Sequence, residues 1–412
     1  MSEEVRRAVA DAHRREWGFV LAATARVAGD FDLAEECVQD AYVAALDAWV
    51  RQGVPDNPAA WLTTTARRKA LDVHRRDRTL RNKLPLLVEP TVEQDEQNEQ
   101  DEPVIPDDRL RLIFTCCHPA LAREAQVALT LRLVCGLTTG EIAEAFLVSE
   151  ATMAARVTRA KKKISVARIA YRVPAAAELP DRLDAVLTVV HLLFTTGHTA
   201  PIGADLVRSD LVERAVGLGR LLLNLMPDER EVRGLLALML LTDARRDTRV
   251  DGTGRLLLLD EQDRTRWNAG AIDEGVALVV DALRGGQPGR FALQAAIAAL
   301  HARAPSYAET DWPQIWMLYG KLQRVWPTPV VALNRAVAFA MVRGPEAALA
   351  EIELIERDGR LSGYHYLPAV KADLLRQIGR TDEAAAMYRL ALEQCDNAAE
   401  RAFLADRLKR GG

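Results

Sequence analysis

Two clusters of Lys and Arg side chains are the part of this 412-residue chain whose residue types and spacing most clearly indicate a chemistry. Residues 67–83 hold eight Lys or Arg against two Asp, and residues 156–172 hold seven with no acid. Between them, residues 89–108 hold nine acids and no base. Because guanidinium and ammonium groups bind phosphate oxygens, this pattern predicts two anion-binding surfaces joined by a segment that avoids anions.

The second basic cluster lies on the later helix of a predicted helix-turn-helix. Thr139 is predicted to cap a helix over residues 140–146, and Ser149 to cap a second helix that begins at Glu150. The side chains that these helices are expected to bury against each other are Ile142, Ala143, Val148, Met153 and Val157. The first turns of the second helix carry base contacts in such motifs, and basic residues beyond them contact phosphates. The candidate DNA contacts are Ser149, Glu150, Thr152, Met153, Arg156, Arg159, Lys161 and Lys162.

The first basic cluster lies on a helix predicted from about residue 59 to residue 78, directly after a turn-rich loop at 53–58. Helical spacing turns Leu62, Ala66 and Ala70 inward and leaves a basic face outward. That outward face carries Arg68, Lys69, Arg75 and Arg76. A one-sided basic face beside a turn suits a phosphate backbone better than a merely solvated surface.

The elements that must position these residues are predicted to be helices throughout. Hydrophobic residues make up 49% of the chain, charged residues 27% and aromatic residues 5%, which is a globular composition rich in Ala, Leu and Arg. The sequence therefore predicts an all-α protein. Four segments are expected: a helical bundle at 1–82, an acidic linker at 83–107, the helix-turn-helix unit at 108–172 and a helical extension at 173–412.

The extension ends in an internal repeat. Residues 332–355 align without gaps on residues 369–392, at an offset of 37 residues. This period, with small residues at helix crossings, is typical of helix-pair repeats of the tetratricopeptide kind. We expect the extension to be a regulatory docking surface for a protein partner, with a final helix that carries Leu390, Leu404 and Leu408 as its cap.

No group of residues indicates catalysis, a cofactor or a metal site. Cys116, Cys117 and His118 lack a C-x-x-C partner, and the adjacent cysteines are predicted to be buried instead of binding a metal. Residues 251–255 lack the Lys-Ser/Thr of a phosphate loop and are predicted to form a turn. His191 and His198 have no carboxylate or nucleophile nearby in the sequence and are predicted to be structural.

The sequence also predicts a cytoplasmic protein that does not bind a membrane. The N-terminal residues are charged throughout, unlike a signal peptide. Residues 185–204 are interrupted by His, Gly and Pro and are predicted to be a buried helix. The five cysteines are scattered and odd in number, which suits a reducing compartment.

Residues 5–170 resemble the extracytoplasmic-function (ECF) sigma factors in three segments that occur in the family's order. AGDFDLAEECVQDAYVAALDAW (28–49) resembles the helix that docks on the β′ clamp helices of RNA polymerase. NPAAWLTTTARRKALDVHRRDR (57–78) resembles the region that reads the −10 element, although Asn is usual where Arg68 or Lys69 stands. Residues 123–164 resemble the −35 reading domain, and DRLRLIFTCCHPAL (108–121) with the long extension resembles a subgroup with a tetratricopeptide-like C-terminus.

The resemblance implies a sigma factor that binds core RNA polymerase, through its β′ clamp helices and β subunit, and recognises promoter DNA. It implies polymerase contacts at Asp32, Glu35, Glu36, Gln39 and Asp40, on an exposed acidic face. It implies −10 contacts at Asp56, Asn57, Trp61, Arg68, Lys69, Arg75 and Arg76. The candidate DNA contacts of the helix-turn-helix become the −35 contacts, and the linker would thread the RNA-exit path.

Two other classes of protein remain open at this point. A helix-turn-helix activator with a repeat-type sensor domain would bind its DNA tightly without polymerase. A tetratricopeptide scaffold with a basic N-terminal half would show no sequence preference.

Overall fold

The computed structural model describes residues 3–83, 108–146, 148–175, 177–198, 209–251 and 255–410. Its regular elements in these ranges are helices, apart from one isolated bridge between Val250 and Leu256. The prediction of an all-α protein is confirmed. The predicted acidic linker beyond Lys83 and the centre of the predicted turn at 251–255 lie outside the described residues. The chain forms two compact units, Met1–Val189 and Val190–Gly412.

The first unit begins with three helices: α1 (Glu3–Ala28), α2 (Phe31–Gln52) and α3 (Pro58–Lys83). Asp30 caps α2, because its carboxylate accepts hydrogen bonds from the backbone N–H groups of Asp32 and Leu33 at 2.8 and 3.0 Å. Gly29, at a φ of 67°, breaks the chain just before this cap. The three helices bury a shared core that includes Val20, Ala34 and Leu62, each 0% exposed.

The second helical group of the first unit contains the predicted helix-turn-helix. It comprises α4 (Asp108–Cys116), α5 (Arg123–Leu129), a π-helical turn (Thr130–Val134), α6 (Thr139–Ala145) and α7 (Glu150–Val166). Ser149 caps α7 as predicted, since its hydroxyl accepts from the Thr152 N–H at 3.2 Å. The cap of α6 is Thr138 instead of Thr139. The Thr138 hydroxyl accepts from the Glu141 N–H at 3.2 Å, and the Glu141 carboxylate accepts from the Thr138 N–H at 2.7 Å.

The two helical groups pack directly on each other inside the first unit. A Cβ atom on Gly18 of α1 would lie 2.4 Å from the Val134 carbonyl oxygen of the π-helical turn. A Cβ on Gly136, where φ is 72°, would lie 2.8 Å from the Trp17 ring. Tyr171 donates from its hydroxyl to the Ala22 carbonyl at 2.9 Å. Glycine is therefore required at two positions for this close approach.

The second unit consists of successive helices, most of them joined by short loops, with a longer connection of residues 244–268 between two of them. Helix α8 (Leu179–His198) carries the division between the units, and residues 199–204 of the predicted buried helix lie outside the described part. The helices that follow are α9 (Ser209–Leu225), α10 (Arg230–Asp243), α11 (Ala269–Leu283), α12 (Arg290–Arg303), α13 (Trp312–Val325), α14 (Pro329–Arg343), α15 (Pro345–Asp358), α16 (Tyr366–Gln377), α17 (Thr381–Gln394) and α18 (Ala398–Arg410).

The predicted repeat corresponds to two helix pairs. Residues 332–355 lie on α14 and α15, and residues 369–392 lie on α16 and α17. The pairs share a core that includes Leu333, Ile352 and Leu374. Helix α18 covers the open end of the second pair with Leu404, which is 4% exposed, whereas Leu390 lies on α17 and is 37% exposed. Leu390 is therefore not part of the cap.

No helix in the described ranges is long and apolar enough to cross a membrane.

Candidate nucleic-acid interface

Helix α7 has one buried face and one exposed polar face, as a recognition helix requires. Met153, Val157, Ala160 and Ile164 repeat at helical spacing and are between 0 and 7% exposed. The opposite face presents Glu150, Thr152, Arg159 and Lys162 to solvent, with Arg156 half-buried beside them. Four of the five side chains predicted to be buried in the helix-turn-helix are buried, and Val148 is half-buried.

The structure corrects two of the candidate DNA contacts on α7. Met153 is 0% exposed, so the prediction that it contacts a base is wrong; its position in the helical period places it in the core. The Lys161 side chain is 10% exposed and paired with acids of α2, so in this conformation it faces protein instead of solvent. Ser149 is exposed, but its hydroxyl is already engaged in the cap of α7.

Helix α3 likewise separates an apolar face from a basic one. Leu62, Ala66 and Ala70 are each 0% exposed, as the helical spacing predicts. Arg68, Arg75 and Arg76 are exposed on the other side. Arg75 lies 3.6 Å from Asp72, and the Arg75 side chain is still 79% exposed. This face therefore presents cations to solvent along the helix.

The remaining candidate −10 contacts surround the start of α3. The Asn57 side-chain oxygen accepts from the Ala60 N–H at 3.0 Å, so Asn57 caps α3. Trp61 is half-buried and packs edge-on against Trp49, with ring centroids 5.7 Å apart. Asp56 is exposed in the loop before the helix. Lys69 is half-buried and pairs with Asp40 of α2 at 3.0 Å.

The acidic face of α2 is exposed at four of its five predicted positions. Asp32, Glu36, Gln39 and Asp40 are exposed. Glu35 is 5% exposed, which contradicts its predicted place on an exposed face. The reason is that the second helical group covers it: Arg132 of the π-helical turn lies 2.8 Å from one Glu35 oxygen, and Lys161 of α7 bonds to the other.

Asp32, Glu35, Arg132 and Lys161 form one compact group, here called the Glu35 cluster. Lys161 Nζ also lies 2.7 Å from an Asp32 oxygen, so two cations face two carboxylates. Burial alone would lower the pKa of Lys161, but Glu35 and Asp32 outweigh it, and the pKa is raised. A balanced, hydrogen-bonded group of this kind tolerates burial that an isolated charge would not.

Arg132 was not among the predicted site residues, and the sequence carries no local signal for its role. Lys161 and Glu35 are 126 residues apart in the chain. Arg26 of α1 also pairs with Asp108 at the start of α4, at 3.7 Å. The two predicted DNA-binding groups are therefore joined by charge pairs that cross between them.

Two cysteine groups bear on the question of a metal site. Cys116 and Cys117 are buried as predicted, and burial raises the pKa of Cys117 to about 11, so it is held as a thiol.

In the second unit, the atoms of His365, Cys395 and Glu400 that could bind a metal lie within 4.8 Å of one another. Glu400 accepts a hydrogen bond from Tyr366 and lies 3.1 Å from His365 Nε2, and these contacts account for its burial. The absence of a metal site stays a prediction.

Comparisons with known proteins match the two helical groups of the first unit separately. The family model of sigma-70 region 2 matches residues 12–79. The family model of sigma-70 region 4 matches residues 111–164. A family of unknown function (DUF6596) matches residues 182–283, which contain most of α8 and continue to the end of α11.

The chain is also similar over most of its length to an uncharacterized protein of Rhizobium meliloti (strain 1021). The two are 44% identical over 379 residues, which cover 91% of this chain and 89% of the relative. No solved structure gives a significant match. The similarity therefore extends across both compact units and is not confined to the helix-turn-helix.

Proposed function

Since this chain belongs to the sigma-70 family of sigma factors, we propose that it binds core RNA polymerase and directs initiation at promoters with particular −35 and −10 elements. The observation that carries the proposal is that α3 and α7 each present an exposed polar or basic face within a matched sigma region. A polymerase partner would place the chain in the cytoplasm.

The two basic helices would divide the reading of promoter DNA. Helix α7 fits a major groove of duplex DNA, with Thr152 and Arg156 near its start for bases and Lys162 further on for phosphates. Helix α3 offers Arg68, Arg75 and Arg76 to the backbone of the −10 element, beside the loop that contains Asp56. Each surface is small, so polymerase would combine their affinities by holding them at a fixed spacing.

The polymerase contact would centre on Glu36, Gln39 and Asp40 of α2, which are exposed. Asp32 and Glu35 lie beside them but are engaged in the Glu35 cluster with Lys161. Full use of both surfaces would therefore require the two helical groups to separate. The segment between Lys83 and Asp108 permits a separation of up to ~80 Å if extended.

The helical extension would serve as a regulatory docking surface for a protein partner that the factor needs in order to work. Support comes from its helix pairs, which form a separate compact unit at Val190–Gly412. Stacked helix pairs commonly present concave surfaces to other proteins. The family that matches residues 182–283 has no assigned function, so the partner is not indicated by the match.

The direct test is transcription in vitro from genomic fragments by purified core polymerase, with and without this chain. The expected result is a set of transcripts that depends on the chain, with protection of both promoter elements only when polymerase is present. Tight, sequence-specific DNA binding without polymerase would instead indicate an ordinary helix-turn-helix activator. Binding without sequence preference, and no new transcripts, would indicate a scaffold.

A double variant tests the polymerase contact separately. Glu36→Lys with Asp40→Lys should abolish the pull-down of core polymerase, because it reverses the exposed acidic face of α2. Glu3→Lys with Glu4→Lys makes the same change in net charge on exposed positions of α1 and should bind normally. Equal binding by the two double variants would contradict the assignment.

A further inference from the structure

The second unit contains a cavity of about 410 Å³ whose walls are largely apolar and aromatic. Side chains from α10, α12 and α13 contribute Leu241, Ile297, Tyr319 and Leu322, and two tryptophans also line the cavity. These tryptophans are Trp267 and Trp326. The volume lies in the range of sites for small organic molecules, and a mostly apolar lining is typical of them.

A small number of polar side chains also face this cavity, and their charge is one-sided. They are Arg245, His191, His301, Gln294, Asn334 and Thr242. No Asp or Glu is among the described residues that line the cavity. The Nδ1 atom of His301 is buried and has no hydrogen-bond partner in the described part of the protein. The described lining thus supplies hydrogen-bond donors and one positive charge, and it contains no carboxylate to neutralise that charge.

Among the described residues, Arg245 differs from the arginines around it in having no partner. Arg246 pairs with Asp243 at 2.7 Å. Arg264 donates to the carbonyl oxygens of His301 and Ala304 at 2.7 and 2.8 Å. For the Arg245 guanidinium, no ion pair or hydrogen bond to another residue is formed within the described ranges.

The cavity keeps a positive charge at neutral pH. Burial, together with repulsion from Arg249 and Arg264, lowers the pKa of Arg245 to about 10, so the side chain remains protonated. Burial lowers the pKa of both His191 and His301 to about 4, so these rings are neutral and offer one donor and one acceptor each. Arg245 is half-buried and has no partner among the described residues, so its charge is only partly solvated, and an anion placed beside it would offset the cost of the lost solvation.

We propose that this cavity binds a small organic carboxylate with an aromatic or branched apolar body. The planar guanidinium of Arg245 matches the two oxygens of a carboxylate, whereas a phosphate dianion would call for further cations that the lining lacks. The apolar body would lie between Trp267 and Trp326, with Gln294 and Asn334 available to further polar atoms. That such binding controls transcription rests on the proposed function; the binding itself does not.

The test is calorimetric titration of the full chain, with tryptophan fluorescence as a second readout. The probes are indole-3-acetate, benzoate and 4-methylvalerate, with indole-3-acetamide as a neutral counterpart and inorganic phosphate as a plain anion. At least one carboxylate should bind with a Kd of about 1 mM or lower, and the amide should bind about tenfold to hundredfold more weakly than indole-3-acetate. No binding by any carboxylate at about 10 mM, or equal binding of phosphate, would overturn the proposal.

Three variants separate a ligand role for Arg245 from a structural one. Arg245→Met should remove the preference for carboxylate over amide, and Ala298→Phe should block the apolar body because Ala298 lines the cavity. Arg324→Met changes an exposed arginine of α13 and should leave binding unchanged. Without ligand, Arg245→Met should melt at the wild-type temperature or above, since it removes a charge that has no partner among the described residues. A marked drop would show that Arg245 holds the fold and would refute the proposal. No polymerase is used, so either result leaves the proposed function standing.

Discussion

At the scale of single residues, the Glu35 cluster shows how charge is accommodated between the two sigma regions. Glu35 is buried, but it faces Arg132 at 2.8 Å and bonds to Lys161. Removing one member of a buried group leaves the others without compensation, which costs more than the pair contributed when intact. Neighbouring Glu36 is exposed and provides a natural comparison.

Glu35→Gln is expected to destabilise the chain by about 2–3 kcal/mol, because it leaves Arg132 and Lys161 short of an acid in a site of low exposure. Urea unfolding followed by circular dichroism measures the free energy of unfolding. The exposed variant Glu36→Gln should change it by less than about 0.5 kcal/mol. Similar values for the two variants would mean that the cluster contributes nothing to stability.

Single residues of α7 are also expected to separate base reading from phosphate binding. Arg156→Ala should relax sequence preference at the −35 element by about 1–3 kcal/mol, since a bidentate base contact is lost. Lys162→Ala should weaken binding equally on all sequences. It should also make the slope of the logarithm of affinity against the logarithm of salt concentration less steep by about one unit. Binding of holoenzyme to promoter variants at several salt concentrations distinguishes them. Equal, sequence-blind losses from both variants would refute the proposed register of the helix.

At the scale of elements, the contact between α1 and the π-helical turn holds the two sigma regions together. Gly18 lies so close to the Val134 carbonyl that any side chain would collide with backbone. A backbone atom cannot give way as the end of a flexible side chain can, so the helices must move apart. A partner that binds only the separated form has an apparent affinity equal to its intrinsic affinity multiplied by the fraction of molecules that are separated. The more the closed arrangement is populated, the weaker the observed binding.

Gly18→Val is therefore expected to tighten binding of core polymerase, because it disfavours the closed arrangement of the first unit. A pull-down titration measures the change. Gly217→Val is the matched control, since Gly217 is also helical and no described atom lies within 4 Å of the place that a Cβ on it would occupy. An unchanged polymerase affinity in folded Gly18→Val protein would contradict the proposed need for separation.

At the scale of the whole molecule, the chain divides into a unit that contains both sigma regions and a larger helical unit. Helix α8 carries the division, and Arg182 near its start donates to the Phe114 carbonyl of the first unit at 2.7 Å. A truncation meant to leave the first unit intact should therefore keep α8. The repeat core lies beyond it, whereas the cavity is lined by His191 of α8 together with later helices.

A chain that ends at residue 198 is expected to bind core polymerase but to lose transcription, because the extension is proposed to be required for activity. Pull-down and transcription in vitro, together with a promoter reporter in cells, measure the two properties separately. A gain in transcription would instead indicate that the extension inhibits. Wild-type transcription under every condition would refute a regulatory role.

The sequence by itself determined the helical fold and the order of its parts, because those signals are local. Ser149 with its downstream amide, the apolar spacing of α7 and the repeat of 37 residues each lie within a short stretch of chain. A cap or a helical period depends on residues three or four positions apart, so it can be read without knowing the fold. Even so, the cap of α6 is Thr138, one residue before the predicted Thr139.

Only the tertiary structure decided which predicted contacts are exposed. Glu35 fits an acidic helical face in sequence, yet it is buried by residues from 97 to 126 positions away. Arg245 is one of several arginines in a basic stretch, and only the fold shows that it lines a cavity with residues of α10, α12 and α13 and has no acid among the described lining residues. Exposure and pairing depend on side chains brought together from distant parts of the chain, and such encounters leave no pattern within the short window where sequence signals act.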